Sequence, residues 1–146
     1  MNYGYACINE TLGAGPKKTR ITTNRSMIKR TFKEKGIKYA SELALENIRD
    51  LIKILAWNED NDIRFYRMSS DIFPWSSEYN YYDLPNYREI KYWLRCAGDA
   101  ATKMGHRLTF HPGPFNCLAS PNFEVVEKTY KELNNHSRIF DMIGFE

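Results

Sequence analysis

The chain has 146 residues, 42% of them apolar and 27% charged, with a formal net charge of +3. This is the composition of a globular protein long enough to bury a core, which excludes a disordered tail. The small positive charge permits an acidic partner without requiring one. No apolar run approaches the length of a membrane span.

The opening Met1-Asn2-Tyr3-Gly4-Tyr5 lacks the basic and apolar regions of a secretory signal, so the expectation is an intracellular, unsecreted protein with no membrane partner. Cys7, Cys96 and Cys117 are widely spaced and form no Cys-x-x-Cys pair, which argues against a zinc knuckle or a redox pair.

In chain order, small and aromatic residues predict a buried strand over residues 3–8, followed by a Gly- and Pro-rich loop over 9–16. Residues 17–38 hold nine Lys or Arg against one acid, Glu34, and little apolar periodicity, so they are expected on the surface. A helix is predicted over 39–57, with Ser41 as its cap and Ile48, Leu51, Ile52 and Leu55 at i, i+3, i+4 and i+7. A strand follows over 63–69 and runs into a long loop rich in tyrosine. The second helix, 87–104, puts Ile90, Trp93, Leu94, Ala97, Ala101 and Met104 on one stripe, and Gly105 closes it. Residues 107–111 form a third strand broken by Pro112-Gly113-Pro114. A last helix starts at Ser120-Pro121, carries Val126, Tyr130, Leu133, Ser137 and Phe140 as its stripe, and ends at Gly144.

Strand-helix alternation of this kind predicts an α/β protein with a parallel sheet, either an open doubly wound sheet or part of a (β/α)8 barrel. No Gly-rich phosphate turn follows the first strand, which weakens the nucleotide-binding sheet. In both architectures functional groups gather at the C-terminal ends of the strands. That rule selects Asn9, Asp71 and His111.

Imidazole is a ligand for borderline divalent metals and a general base near neutral pH, although His111 in a turn also suits a purely structural hydrogen bond. Asp71 suits a metal ligand or a group orienting one, and equally a turn cap. The basic segment could track a phosphate backbone, with Thr22, Thr23, Asn24, Arg25 and Ser26 as donors to phosphate oxygens. Charge runs are more often merely solvated. Tyr5, Trp75, Tyr79, Tyr81 and Tyr82 are divided between the core and stacking on unpaired bases. His106 and His136 receive no chemistry, and Cys7 is read as a small buried residue within the first strand.

Several of these segments together resemble the UV damage endonuclease family: Gly4-Tyr5-Ala6-Cys7-Ile8-Asn9 with Thr11-Leu12; Thr23-Asn24-Arg25; Glu46-Asn47-Ile48-Arg49-Asp50-Leu51; Tyr66-Arg67-Met68-Ser69-Ser70-Asp71-Ile72-Phe73-Pro74-Trp75; and Leu108-Thr109-Phe110-His111-Pro112-Gly113. They come in the family's order and spacing and cover nearly the whole chain. The resemblance implies a TIM barrel with divalent metals, manganese foremost, at its C-terminal face. It implies an enzyme that nicks UV-damaged double-stranded DNA immediately 5′ to a photoproduct. His111 then matches a metal-ligand histidine, and Asp71 a ligand position that is histidine in some members and aspartate in many. Tyr5 and Asn9 match positions at the DNA-facing mouth. Pro114 and Phe115 fall where the family commonly has glutamine followed by an aromatic that probes the damaged bases.

Pro114 departs from that pattern by removing an amide. On this resemblance residues 1–146 are one N-terminal portion of a barrel domain, about its first three βα units, too few to close a barrel. The expectation is therefore an incomplete site needing a separate C-terminal half. The competing readings are a catalytically dead remnant that binds damaged DNA, and a related metal-dependent barrel such as an abasic-site endonuclease or a sugar isomerase.

Overall fold

A computed structural model describes residues 3–145; Met1, Asn2 and Glu146 lie outside the described residues. Three strands, β1 (Gly4–Ala6), β2 (Phe65–Ser69) and β3 (Arg107–His111), alternate with helices α2 (Lys29–Asp60), α3 (Tyr87–Met104) and α4 (Phe123–Ile143), while a short helix α1 (Glu10–Gly13) follows β1. The sheet order is β1-β2-β3 and both pairings are parallel, as the alternation predicts.

Register divides the sheet into two faces, because side chains alternate along a strand and paired residues of parallel strands share a side. Tyr5, Tyr66 and Leu108 form one row, continued by Met68 and Phe110. These meet the helices in a core with Ala44, Ile48, Leu51, Ile54 and Leu55 of α2, and Ile90, Leu94, Ala97 and Ala101 of α3. Each Leu or Ile so enclosed contributes roughly 1.5–3 kcal/mol. The opposite face carries Ala6, Arg67, Thr109, Ser69 and His111.

Helix α3 and strand β3 have the predicted bounds, and Gly105 holds the left-handed conformation at the end of α3 (φ 68°). The predicted stripe of α3 forms because those residues recur with the helical period. Its Gly98 is needed for close approach: a Cβ there would stand 2.0 Å from the Ile143 carbonyl of α4.

Several expectations are corrected. Helix α2 begins at Lys29, so part of the basic segment is helical, and the backbone breaks at Gly36 (φ 64°, ψ −160°), a conformation glycine alone adopts readily. Ser41 is then no cap. It is buried, its hydroxyl donating to Asn86 Oδ1 at 2.9 Å and accepting from the Asn86 N–H at 3.0 Å, which joins α2 to the start of α3. Helix α4 starts at Phe123, where Asn122 Oδ1 accepts from the Glu124 N–H at 3.0 Å. Its buried residues are Thr129, His136, Ile139, Met142 and Ile143, a face rotated from the predicted stripe and leaving Tyr130 exposed.

The segment read as entirely superficial has a buried centre, since Thr22 and Thr23 are enclosed. Hydrogen bonds rather than apolar periodicity hold them there. No described helix is long and apolar enough to cross a membrane.

Candidate functional site

The C-terminal strand ends bring three loops together. After β1 the chain turns sharply: Cys7 has φ 61°, its N–H donates to the Arg67 carbonyl at 2.8 Å, and the Ile8 N–H returns to Ala6 at 2.7 Å. Asn9 then caps α1, accepting from the Leu12 N–H at 2.9 Å. Its amide donates to the Tyr5 hydroxyl at 2.8 Å, and Tyr5 donates in turn to Asn58 Oδ1 at 2.7 Å. Burial pushes the Tyr5 phenol up, against a smaller lowering by Asn9 and Asn58. Tyr5 is thus a neutral, half-buried ring on the helix side of β1, tilted against Tyr66 at 5.1 Å. Asn9 is buried beneath α1.

The second loop is the Thr-Asn-Arg segment. Thr23 Oγ1 lies 3.0 Å from the Tyr66 hydroxyl, which donates to the Cys7 carbonyl at 2.8 Å, so this loop is locked to the end of β1. Asn24 is half-exposed, its N–H held by Thr22 Oγ1 at 3.2 Å. Arg25 is clamped by the protein itself. Its guanidinium donates to the carbonyls of Thr22 (2.6 Å) and Arg20 (3.0 Å) and pairs with Asp50 (2.6 Å) and Glu46 (3.2 Å). The fork of this side chain therefore organises the loop that displays Asn24.

The third loop follows β2. Ser69 Oγ accepts from the Asp71 N–H at 3.1 Å, and Asp71 lies exposed in the tight turn over Ser70–Ile72. Ser69 is the register partner of His111, which is exposed at the end of β3, so the two candidate ligands stand on neighbouring strand ends. Just past β3, a turn at Gly113 is pinned to α4, the Gly113 N–H donating to Glu132 Oε1 at 2.8 Å. Its tip carries the exposed Pro114 and a Phe115 that is 90% exposed. An aromatic held this far into solvent invites a stacking partner.

Two residues at this end were given no chemistry from sequence. Arg67 sits at the centre of the open sheet face beside Thr109, whose Oγ1 has no hydrogen-bond partner. Cys7, expected within a strand, lies past the end of β1. Burial raises its thiol, Arg67 and the nearby Ser69 lower it, and Asp71 raises it again, so these side chains share one neighbourhood. An arginine alternating with Tyr66 and Met68 in a strand was the available signal.

Most of the loop aromatics are not base platforms. Trp75 donates its indole N–H to the Met27 carbonyl at 2.9 Å and stacks on Phe32 at 5.5 Å; Tyr79 donates to the Pro74 carbonyl at 2.7 Å; Tyr81 is buried. Tyr82 alone of these four is largely exposed.

His111 and Asp71 are suitable nitrogen and oxygen donors for a divalent ion. Among the described residues, however, no group of three or more His, Cys, Asp or Glu side chains stands ready to hold a metal. Two donors are too few for a multi-metal centre, which needs further ligands.

Comparison with known proteins places this geometry. The family model for UV-endonuclease UvdE matches residues 1–146. A putative UV-damage endonuclease of Acanthamoeba polyphaga mimivirus is 39% identical over 99% of this chain and 43% of that protein. The UV-damage endonuclease of Neurospora crassa is 43% identical over 75% of this chain and 17% of that protein. The crystal structure of SacUVDE superposes on all of this chain and 47% of its own, with a TM-score of 0.83 and 26% identity. The chain thus spans less than half the length of these relatives, and its fold is a partial α/β barrel. It belongs to the UV-endonuclease UvdE family.

Proposed function

We propose that this chain supplies the N-terminal part of a DNA-repair endonuclease that cuts immediately 5′ to UV photoproducts in duplex DNA. The observation that carries this reading is the convergence of His111, Asp71, Asn24 and the projecting Phe115 at the C-terminal end of one parallel sheet. In barrels of this kind chemistry is built from strand-end loops.

Divalent metal, Mn²⁺ by preference, would activate the attacking water and clamp the phosphodiester oxygens. His111 and Asp71 would offer one nitrogen and one carboxylate toward it, the rest of the ligands coming from a C-terminal half of the barrel. The carboxamide of Asn24 would meet a phosphate oxygen. Phe115 would wedge against the stacked bases, while the rigid ring of Pro114 limits the tip's freedom. Tyr5 and Asn9 act from behind, fixing the floor of the mouth through Asn58.

Incubation of the chain with an end-labelled, UV-irradiated duplex and Mn²⁺ tests this. The expected outcome is no nick by the chain alone, and a nick 5′ to the photoproduct once the complementary half of a relative's barrel is added, abolished by His111→Ala. Failure of the reconstituted pair, with intact salt-dependent DNA binding in a chelator, would instead establish a binding remnant.

A further inference from the structure

The charge of this chain is concentrated in one place. Residues 17–38 carry nine Lys or Arg and one acid, a balance of +8, so a chain of net +3 carries −5 over all its other residues. A charge run is usually a solvated face, and the count alone assigns nothing. What sets this run apart is that the fold gives part of it a fixed support beside the candidate site.

Residues 29–35, the start of α2, are divided from the rest of that helix by the break at Gly36. The piece is about 10 Å long. Its Phe32 stacks on Trp75 at 5.5 Å with the ring planes 13° apart, and the Trp75 indole N–H reaches the Met27 carbonyl at 2.9 Å. Trp75 holds the left-handed conformation (φ 60°), which a bulky residue keeps only where its surroundings impose it. Trp75 belongs to the loop after β2 that carries Asp71, and Lys29 comes five residues after Asn24. This short arm therefore stands at the mouth, against two of the loops of the candidate site.

Successive helical residues turn by about 100°, so Lys29, Arg30 and Lys33 occupy one arc of about 100° that begins beside Phe32 and ends opposite it. All three are exposed. Arg30 shares Glu34 at 3.6 Å, while Lys29 and Lys33 form no ion pair among the described residues. Lys35 is committed elsewhere, its ammonium lying 4.3 Å over the centre of the Tyr39 ring.

The same contacts narrow the partner. Phe32 is covered by Trp75 and Tyr39 by Lys35, so the arm offers no platform for unpaired bases. Among the described residues of the segment, Ile28 alone is a large apolar side chain left exposed, far short of the apolar face by which a helix enters a lipid surface. Point cations on an open arc suit the closely spaced phosphates of a duplex, which carries one negative charge per about 1.7 Å of its axis.

We infer that Lys29, Arg30 and Lys33 form a second contact surface for duplex DNA, gripping the phosphate backbone beside the damaged step without reading sequence. The choice of DNA as the polyanion rests on the proposed nuclease reading; the position of the surface rests on the arm.

Fluorescence anisotropy of the full chain with a short, undamaged, end-labelled duplex, titrated over a series of salt concentrations, tests this. Lys29→Gln combined with Lys33→Gln is compared with Lys103→Gln combined with Arg107→Gln, which removes the same charge where α3 ends and β3 begins, at the other end of the sheet. All four side chains are exposed, so both variants should melt close to the wild type. The α2 pair is expected to reduce the slope of log K against log salt by about two, at about 0.9 per phosphate contact, and the other pair to leave it unchanged.

A slope untouched by the α2 pair, an equal fall with the other pair, or no binding of duplex by the wild type would each overturn the inference. So would binding to phosphatidylserine vesicles that the α2 pair abolishes while duplex binding stays, which would assign the arc to a lipid surface. The nick by the reconstituted barrel on irradiated duplex is read separately. Its absence with the slope change retained would sink the nuclease reading alone, and its presence without the slope change would sink the arm alone.

Discussion

The Asn47 carboxamide of α2 donates to the Ile72 carbonyl at 3.1 Å, joining the centre of a buried helix to the residue after Asp71. The same carboxamide accepts from the Arg25 N–H at 2.9 Å and donates to the Arg25 carbonyl at 3.1 Å. One enclosed side chain therefore sets the spacing between the Thr-Asn-Arg loop and the loop of a candidate metal ligand.

Asn47→Ala is expected to destabilise the fold by about 3 kcal/mol, because it strands buried backbone groups on two loops at once. Asn47→Asp should not rescue, since a carboxylate cannot donate to either carbonyl. The denaturant midpoint at constant slope measures this. A midpoint equal to the wild type would show that the loops hold each other without Asn47.

Arg25 was read from sequence as a phosphate contact, and the structure surrounds it with the chain's own acceptors. Arg25→Lys should destabilise by about 1–3 kcal/mol, since a point charge cannot replace the fork that reaches Asp50, Glu46 and two carbonyls. In duplex binding, the slope of log K against log salt should stay that of the wild type. A slope reduced by about one would instead mark a direct phosphate contact.

The contrast between these residues shows what sequence could convey. Stripes such as Ile90, Leu94, Ala97 and Ala101 have the helical period, and β3 ends where Pro112 must break it, so both elements were legible. Helix α2 was misplaced because Lys29 to Lys35 carry almost no apolar signal, and their helix is secured from outside by the stack of Phe32 on Trp75. The face of α4 was missed because Thr129 and His136 are polar residues buried by tertiary contacts. The strand-end placement of His111 and Asp71 was legible from the pattern of strands and turns. The roles of Asn47, Asn58 and Asp50 as anchors were not, because a polar residue on a helix gives no sign of its partner when that partner is distant in sequence.

At Gly98, α3 lies directly against the Ile143 backbone at the end of α4. Gly98→Ala should destabilise by about 1–3 kcal/mol, since the new Cβ meets the Ile143 backbone rather than a flexible side chain. A thermal melt compared with Gly105→Ala separates crowding from backbone strain. At Gly105 the added Cβ meets open space, and only the positive φ opposes it.

The Glu59 carboxylate lies between Arg64 and His106, 2.8 Å from His106 Nε2, at the end of the sheet opposite the candidate site. Arg64 first and His106 second hold its carboxyl below the ordinary 4.5. A lowered folded-state value means the unfolded chain takes up the proton first. The stability this carboxylate contributes is therefore present above pH 4.5 and is lost as pH falls through the lower folded value. Glu59→Gln should flatten the fall in melting temperature below pH 4.5 while leaving DNA binding unchanged. An unchanged acid limb would show that the pair does not persist in solution.

Phe115 provides the sharpest separation of stability from recognition. At 90% exposure its side chain touches little of the protein, so Phe115→Ala should alter the denaturant midpoint by less than about 0.5 kcal/mol. A stacked aromatic contributes about 1–3 kcal/mol per base. If Phe115 inserts where photoproducts unstack the duplex, the variant should lose roughly fivefold or more in affinity for irradiated duplex and much less for intact duplex. Titration of both duplexes at one fixed salt concentration gives the two ratios. Equal losses on both would mean that Phe115 serves general adhesion, and discrimination would then have to come from the rest of the barrel.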